Sequence, residues 1–402
     1  MTGTAGTAST AGTAGGPGTA GGAARDVFLV GNEVNELGGV GRWQISMARL
    51  FAERGHRVTV VGVAPPHAPF DLGEDPPFAT LTLHATRPPG RRRPRGLAGR
   101  LDLAARRRDA ARERERREAA GRLSAVFRAA RPGAVIIVTQ VWAMEWVALA
   151  DTAGHLVIGM SHESFATSRG SSRFERVKRY YRDVDRLLVL TREDADLWIG
   201  QGFDHVGFVP NPVPLRDPSP SPRTDKVVVS IGRLGYEKGV DLLLDTWAEV
   251  APRHPGWRLR IHGSGPDEGT LREQCTRLGL DGSVEWAGRT EDVAGALARS
   301  SVFVLSSRGE GFPLALLEAM SCAVPCVAFD CAPGVREIVR HEEDGLLARP
   351  GNTAELARHL GLLLEDDGLR NRMGDRAAVN VRRFSPSAVT DRWEYLFSLL
   401  TR

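Results

Sequence analysis

The sequence predicts an α/β protein of two doubly wound, Rossmann-like domains facing each other across a cleft. Three observations lead there. At 402 residues the chain is longer than the roughly 250–300 residues over which a single core grows. From Asp26 onward, short apolar runs alternate with helical periodicity, the pattern of parallel strands covered on both faces. A proline-rich break at 210–224, PNPVPLRDPSPSPRT, divides that alternation into two similar stretches.

Taken in order, residues 1–24 are Gly, Ala, Thr and little else, too poor in large apolar side chains to build a core. They predict a disordered tail. They also lack the basic start and apolar run of a secretory signal, so a cytoplasmic protein is expected. The first domain, 25–212, reads as strands at 27–30, 57–63, 81–84, 134–138, 156–160, 186–190 and 205–209. A glycine-rich turn at 38–41 and a helix at 43–54 follow the first of them. The second domain, 213–385, restarts with a strand at 227–231 and a helix at 239–250. Strands at 258–262, 284–286, 302–305 and 324–329 follow, with helices at 267–278 and 313–321. Pro386 marks a break before a last helix near 387–400, within a final segment 386–402. Doubly wound sheets bind ligands beyond the carboxyl ends of their strands, so two facing sheets make a closable site.

Composition narrows the class. Hydrophobic content of 42% and charged content of 25% are those of a soluble globular chain, and no apolar run approaches the ~20 residues of a spanning helix. The four cysteines, at 275, 322, 326 and 331, are not at zinc spacing and read as small core residues. No metal cluster is expected. The net charge of +4 is nearly all arginine, with lysine only at 178, 226 and 238. From Arg87 to Arg122 stand fourteen arginines against five acids. Two readings stay open: a solvated helix with its own ion pairs, or a patch for an anionic membrane surface or polyanionic acceptor. Few aromatics interleave, so no nucleic acid is expected.

Four motifs carry chemistry. In the stretch from Ser306 to Asp330, Gly309 and Gly311 flank Glu310 between a strand and a helix. The free amides of Gly311, Phe312 and Leu314 would face a ligand there, and Glu318 follows two helical turns later. The plain alternative is a capping Glu and an ordinary surface Glu. Next, Arg233 and Lys238, in GRL and EKG after the first strand of the second domain, can both reach an anion at a helix start. A structural ion pair of Lys238 with Glu237 or Asp241 is the alternative. The Glu36 to Arg42 loop, ELGGVGR, lets backbone approach an anion or simply turns. It holds no P-loop lysine, and Gly263-x-Gly265 lacks the dinucleotide spacing. Finally His162, with Glu163 beside it, ends a strand and faces the cleft, where it is either structural or close to the reacting atoms.

The E-x7-E pattern, with EGFPL and EAM-x-C-x-x-P, resembles the retaining glycosyltransferases of family 4, which have the GT-B fold. The resemblance spans roughly 26–400. It implies a donor nucleotide sugar in the second domain, an acceptor in the first, and a last helix crossing back to the first. It implies that Glu310 and the backbone after it hold the donor sugar's hydroxyls, and that Glu318 holds the ribose. Arg233 and Lys238 would bind the diphosphate, Gly39 would offer its amide across the cleft, Arg289 would line the base pocket, and His162 would lie near the reacting carbon. The donor is expected to be a UDP hexose or N-acetylhexosamine, by family habit. The acceptor would be a glycan, a lipid-linked glycan or a small molecule. Transfer with retention is expected, without a metal, the two cations standing in for one. A nucleotide-sugar epimerase or hydrolase, and a non-catalytic nucleotide-sugar-binding protein, are the competing classes. The first needs a further acid–base set in the cleft, for which only His162 and Glu163 offer themselves.

Overall fold

The computed structural model describes residues 23–36, 38–67, 71–88 and 103–400. The expected disordered tail, up to residue 22, and the arginines between 89 and 102 lie outside them.

Two all-parallel sheets carry the fold. The first has seven strands: β1 (Asp26–Gly31), β2 (Arg57–Gly62), β3 (Ala79–Thr82), β4 (Val135–Val138), β5 (Leu156–Met160), β6 (Arg186–Val189) and β7 (Val206–Phe208). Their order is β3-β2-β1-β4-β5-β6-β7. The second has six: β8 (Val227–Ile231), β9 (Arg258–His262), β10 (Val284–Gly288), β11 (Val302–Leu305), β12 (Cys326–Phe329) and β13 (Gly345–Ala348), in the order β10-β9-β8-β11-β12-β13. Each sheet reverses its winding once, between β1 and β4 and between β8 and β11. Those reversals open the crevices in which such sheets bind ligands. The central strands β1, β4, β11 and β12 are buried along their whole length, which is why they read as unbroken apolar runs.

Among the elements that differ from the sequence reading, three are instructive. The helix after β1 runs Gly39–Glu53, because the glycine turn itself winds into the first helical turn. Strand β3 lies two residues early: it is an exposed edge strand, and the apolar signal came from Leu83 and His84, buried just beyond it. Strand β13 was not foreseen, its four residues being too short a run to stand out from the turn before it. The segment 103–122 of the arginine-rich stretch is helical, within Leu103–Arg128. Its buried residues are confined to Ala119, Ala120, Leu123, Ser124 and Phe127, and Glu113 pairs with Arg116 and Arg117 along the helix.

Two of the fastenings between the halves involve the chain's own crossings from one to the other. The segment between β7 and β8 is pinned rather than loose: the Val213 amide donates to the Phe384 carbonyl (2.8 Å) and the Ser221 hydroxyl to the Ser300 carbonyl (2.7 Å). The last helix, Pro386–Leu400, lies on the first domain, with Trp393 and Phe397 against Phe51 at 5.8 and 5.6 Å between ring centroids. Burial of such side chains stabilises by about 1.5–3 kcal/mol each. The exposed Arg54–Asp391 pair beside them adds at most ~1 kcal/mol, so packing holds this helix in place.

Candidate active site

On the second domain, the loop after β8 is shaped by close backbone approaches. A Cβ on Gly263 would sit 1.8 Å from the Gly232 carbonyl, and one on Gly265 2.1 Å from that of Leu234. Gly263-x-Gly265 therefore backs the 232–234 loop. Gly239 is left-handed (φ 60°) and opens the helix Val240–Val250; a Cβ there would meet the Ser306 carbonyl at 2.1 Å. The loops after β8 and β11 are thus in contact on either side of the winding reversal.

This contact sets the charges. Lys238 Nζ lies 2.7 Å from Glu310 Oε1, and the Ser307 hydroxyl donates to the same oxygen at 2.6 Å. The alternative ion pair, Lys238 with Glu237 or Asp241, is not formed. Glu237 accepts from Arg233 Nε (3.0 Å), and Asp241 from Arg308 (2.6 and 2.7 Å). Lysine therefore reaches over the exposed acids of its own turn to a mostly buried one contributed by β11's loop. Glu318, on the helix Leu314–Ser321, is 1% exposed and pairs with Arg42 of the opposite domain. Burial pushes its carboxyl above the usual carboxylate range, and Arg42 partly opposes that. Neither acid is the ordinary surface Glu of the plain alternative.

Gly311 faces the first domain directly: a Cβ would lie 1.9 Å from the His162 carbonyl. The Phe312 side chain is buried, edge-on to Phe384 at 5.3 Å, and its carbonyl accepts from Asn211 (3.1 Å). Only the Phe312 amide is left for a ligand. Leu314 heads the helix. Arg289 is exposed past the end of β10, at the outer edge of the sheet and two strands from β8.

The facing wall belongs to the first domain. A cavity of about 510 Å³ opens at the β1/β4 reversal, lined by Glu36, Gly39, Gln140, Trp142, His162 and Glu163 among others. Gly38 (φ 136°) precedes the helix, and Gly41 passes so close to the Glu36 carbonyl that a Cβ would be 1.8 Å away. Gln140 accepts from the Asn32 amide (2.8 Å) and donates to Glu36 (3.0 Å), which preorganises that side of the cavity. Glu163 pairs with Arg173 (2.9 Å). The His162 ring lies edge-on to Trp43 (4.7 Å), its Nε2 buried and without a hydrogen-bond partner. Burial lowers its pKa to about 4, so the ring is neutral at physiological pH. The unfolded chain takes up that proton near 6.5, so between 6.5 and 4 the unfolded state binds more protons and stability falls as pH falls. Thermal midpoints measured across this window should decline towards low pH in the wild type, and His162→Phe should flatten the decline. An unaltered slope in the variant rejects this placement of the ring.

Sequence reasoning passed over Arg42. It ended the quoted glycine loop, but its partner lies 276 residues away and no local pattern signals it.

Comparison with known proteins agrees with this architecture. Residues 37–217 match the model described as Glycosyltransferase Family 4, and 214–379 the model described as Glycosyl transferases group 1. An exopolysaccharide phosphotransferase of Streptomyces coelicolor is 36% identical over 258 residues, 63% of this chain and 27% of that protein. The amylovoran biosynthesis glycosyltransferase AmsD of Erwinia amylovora is 29% identical over 52% of this chain and 61% of its own. The chain thus matches between about a quarter and three-fifths of the length of these relatives. Anabaena HepE, solved in complex with UDP, superposes with a TM-score of 0.71 at 19% identity, covering 93% of this chain and all of that one. Sucrose-phosphate synthase of Thermosynechococcus elongatus gives 0.73 at 18% identity, covering 94% and 99%. Two family models meeting end to end over 37–379, on a GT-B fold, place this chain among the group 1, family 4 glycosyltransferases.

Proposed function

We propose that the protein transfers a hexose or N-acetylhexosamine from a UDP sugar to a glycan acceptor, with retention of configuration. One observation carries the reading. Arg233, Lys238, Glu310 and Glu318 gather around the β8/β11 reversal, opposite the polar cavity at the β1/β4 reversal. That arrangement gives cations for a departing diphosphate and carboxylates for sugar and ribose hydroxyls. In the reaction, the bond from the anomeric carbon to the diphosphate oxygen breaks. A bond to the acceptor oxygen forms on the same face, and the acceptor's proton passes to the leaving diphosphate. Arg233 and Lys238 stabilise the charge that develops there in place of a metal. The amides of Gly39, Gly311, Phe312 and Leu314 orient the donor, with Arg289 near the base. His162, neutral, contacts the reacting sugar as a hydrogen-bonding group rather than as a charge.

Acceptor chemistry follows from the cavity. Its charged groups have partners: Glu163 with Arg173, Arg176 with Glu145, and Glu36 with Gln140. Paired charges beside Trp142 suit a neutral polyol better than a free anion. The UDP bound by HepE and the amylovoran biosynthesis for which AmsD is named are in keeping with this reading. A lipid-linked glycan at the inner membrane face fits the surroundings. Leu103–Arg128 carries nine arginines against four acids, and the helix Arg173–Tyr180 four cations against one acid. Both reach Glu145, so they adjoin beside the cavity, and their excess positive charge is larger than the +4 of the whole chain.

Thermal-shift screening against nucleoside diphosphates and nucleotide sugars tests the donor, with UDP and its sugars expected to stabilise the protein. Mass analysis of products made with extracted lipid-linked glycans then tests the acceptor. No stabilisation by any nucleoside diphosphate sinks the reading.

A further inference from the structure

Three cations of the candidate site each rest on a carboxylate of the same site. Arg233 is held by Glu237 and Lys238 by Glu310, both pairs within the second domain. The third pair, Arg42 with Glu318, crosses from the first domain. The site is therefore neutralised by its own residues, and a diphosphate must draw a cation away from a carboxylate. For Glu318 the exchange has a defined partner. It is 1% exposed, and a buried carboxylate stripped of its cation is strongly disfavoured unless other donors replace it. Arg42 is 43% exposed at its side chain and directly follows Gly39, Val40 and Gly41, which line the cavity. Its head is thus anchored on Glu318 while its backbone neighbours line the cavity and part of the side chain is open to solvent.

Resting on the nucleotide-sugar reading above, we propose that Arg42 is a third diphosphate-binding cation, supplied by the acceptor domain. It is stored on Glu318 and released when the ribose hydroxyls of a nucleotide take its place. Two hydroxyls donating to Glu318 replace the hydrogen bond that Arg42 gave. The freed guanidinium, whose planar fork matches phosphate oxygens, turns to the diphosphate that the same ligand brings. Nucleoside recognition in one domain thereby recruits a charge from the other.

Titrations of uridine and of UDP, followed by NMR on wild type, Arg42→Gln and Arg42→Lys, separate this from a merely structural pair. Arg42→Gln should weaken UDP at least tenfold while uridine binds as well or better, because its competitor for Glu318 is gone. Arg42→Lys, which keeps the cation, should retain most of the preference for UDP. An equal change for both ligands, or an unaltered affinity for UDP, overturns the proposal and leaves Arg42 a domain fastener. Failure of the folded wild type to bind UDP appears before any substitution, and it removes the nucleotide reading together with this one. Should Arg42→Gln not fold, the double variant Arg42→Gln/Glu318→Gln is compared with Glu318→Gln alone. Both lack the ribose carboxylate, so a loss of at least tenfold in UDP affinity confined to the double variant, with uridine equal in the two, supports the proposal, and equal UDP affinity overturns it.

Discussion

Replacing Lys238 by alanine should lower turnover by about 10²–10³-fold, the loss typical when one preorganised donor to developing charge is removed. The expectation follows from what Lys238 touches. Its Nζ rests on Glu310, is partly open to the cleft, and stands at the start of the helix Val240–Val250, where the helix dipole also favours an anion. The fold should survive. Glu310 keeps the Ser307 hydroxyl as a donor, and Lys238 belongs to no core cluster. The thermal midpoint is therefore the control: a folded variant with near-normal turnover removes the diphosphate from this position. Lys238→Arg should recover little, because the neighbouring turn already holds two guanidinium groups, Arg233 and Arg308, committed to Glu237 and Asp241.

A second large effect is expected from Gly311→Ala. The added methyl would lie 1.9 Å from the His162 carbonyl and 3.2 Å from the Glu163 Cα, both backbone atoms of the other domain. Backbone cannot swing aside as a flexible side chain does. The two domains must separate locally, or the 310–312 loop must shift. Displacement of about 1 Å at a reacting centre costs on the order of 10²-fold in rate, so turnover should fall by at least that factor. Each domain's own core is untouched, so the circular dichroism spectrum should be that of the wild type. Small-angle scattering should report an equal or slightly larger radius of gyration. Wild-type turnover in this variant would mean that the two loops do not meet during catalysis.

How much of this was legible in the sequence depended on the range of the interaction concerned. Strands β5 and β11 were read to the residue because strands buried on both faces leave continuous apolar runs, and β9, RLRIH, because a half-buried strand alternates apolar and polar side chains. Glu310 stood out because Gly309 and Gly311 flank it, a purely local signature. The partners were a different matter. Lys238 was weighed against acids one and three residues away, yet its partner lies 72 residues on, brought near by the adjacency of β8 and β11. Arg42 and Glu318 meet only because the domains close on each other. A proline-rich segment looked like a spacer, yet its Val213 and Ser221 are bound into the second domain's surroundings through backbone groups that composition does not reveal.

The returning helix Pro386–Leu400 has a consequence for synthesis. The aromatic surface around Phe51 and His56 leaves the ribosome about 340 residues before Trp393 and Phe397, which cover it. At ~5–20 residues per second that interval lasts roughly 20–70 s. Throughout it, the nascent first domain carries an uncovered apolar patch, the kind of surface that chaperones recognise. A ribosome that stops anywhere before residue 393 leaves the patch exposed. Whether Phe51 is still bare therefore distinguishes a chain made past residue 397 from one interrupted before it.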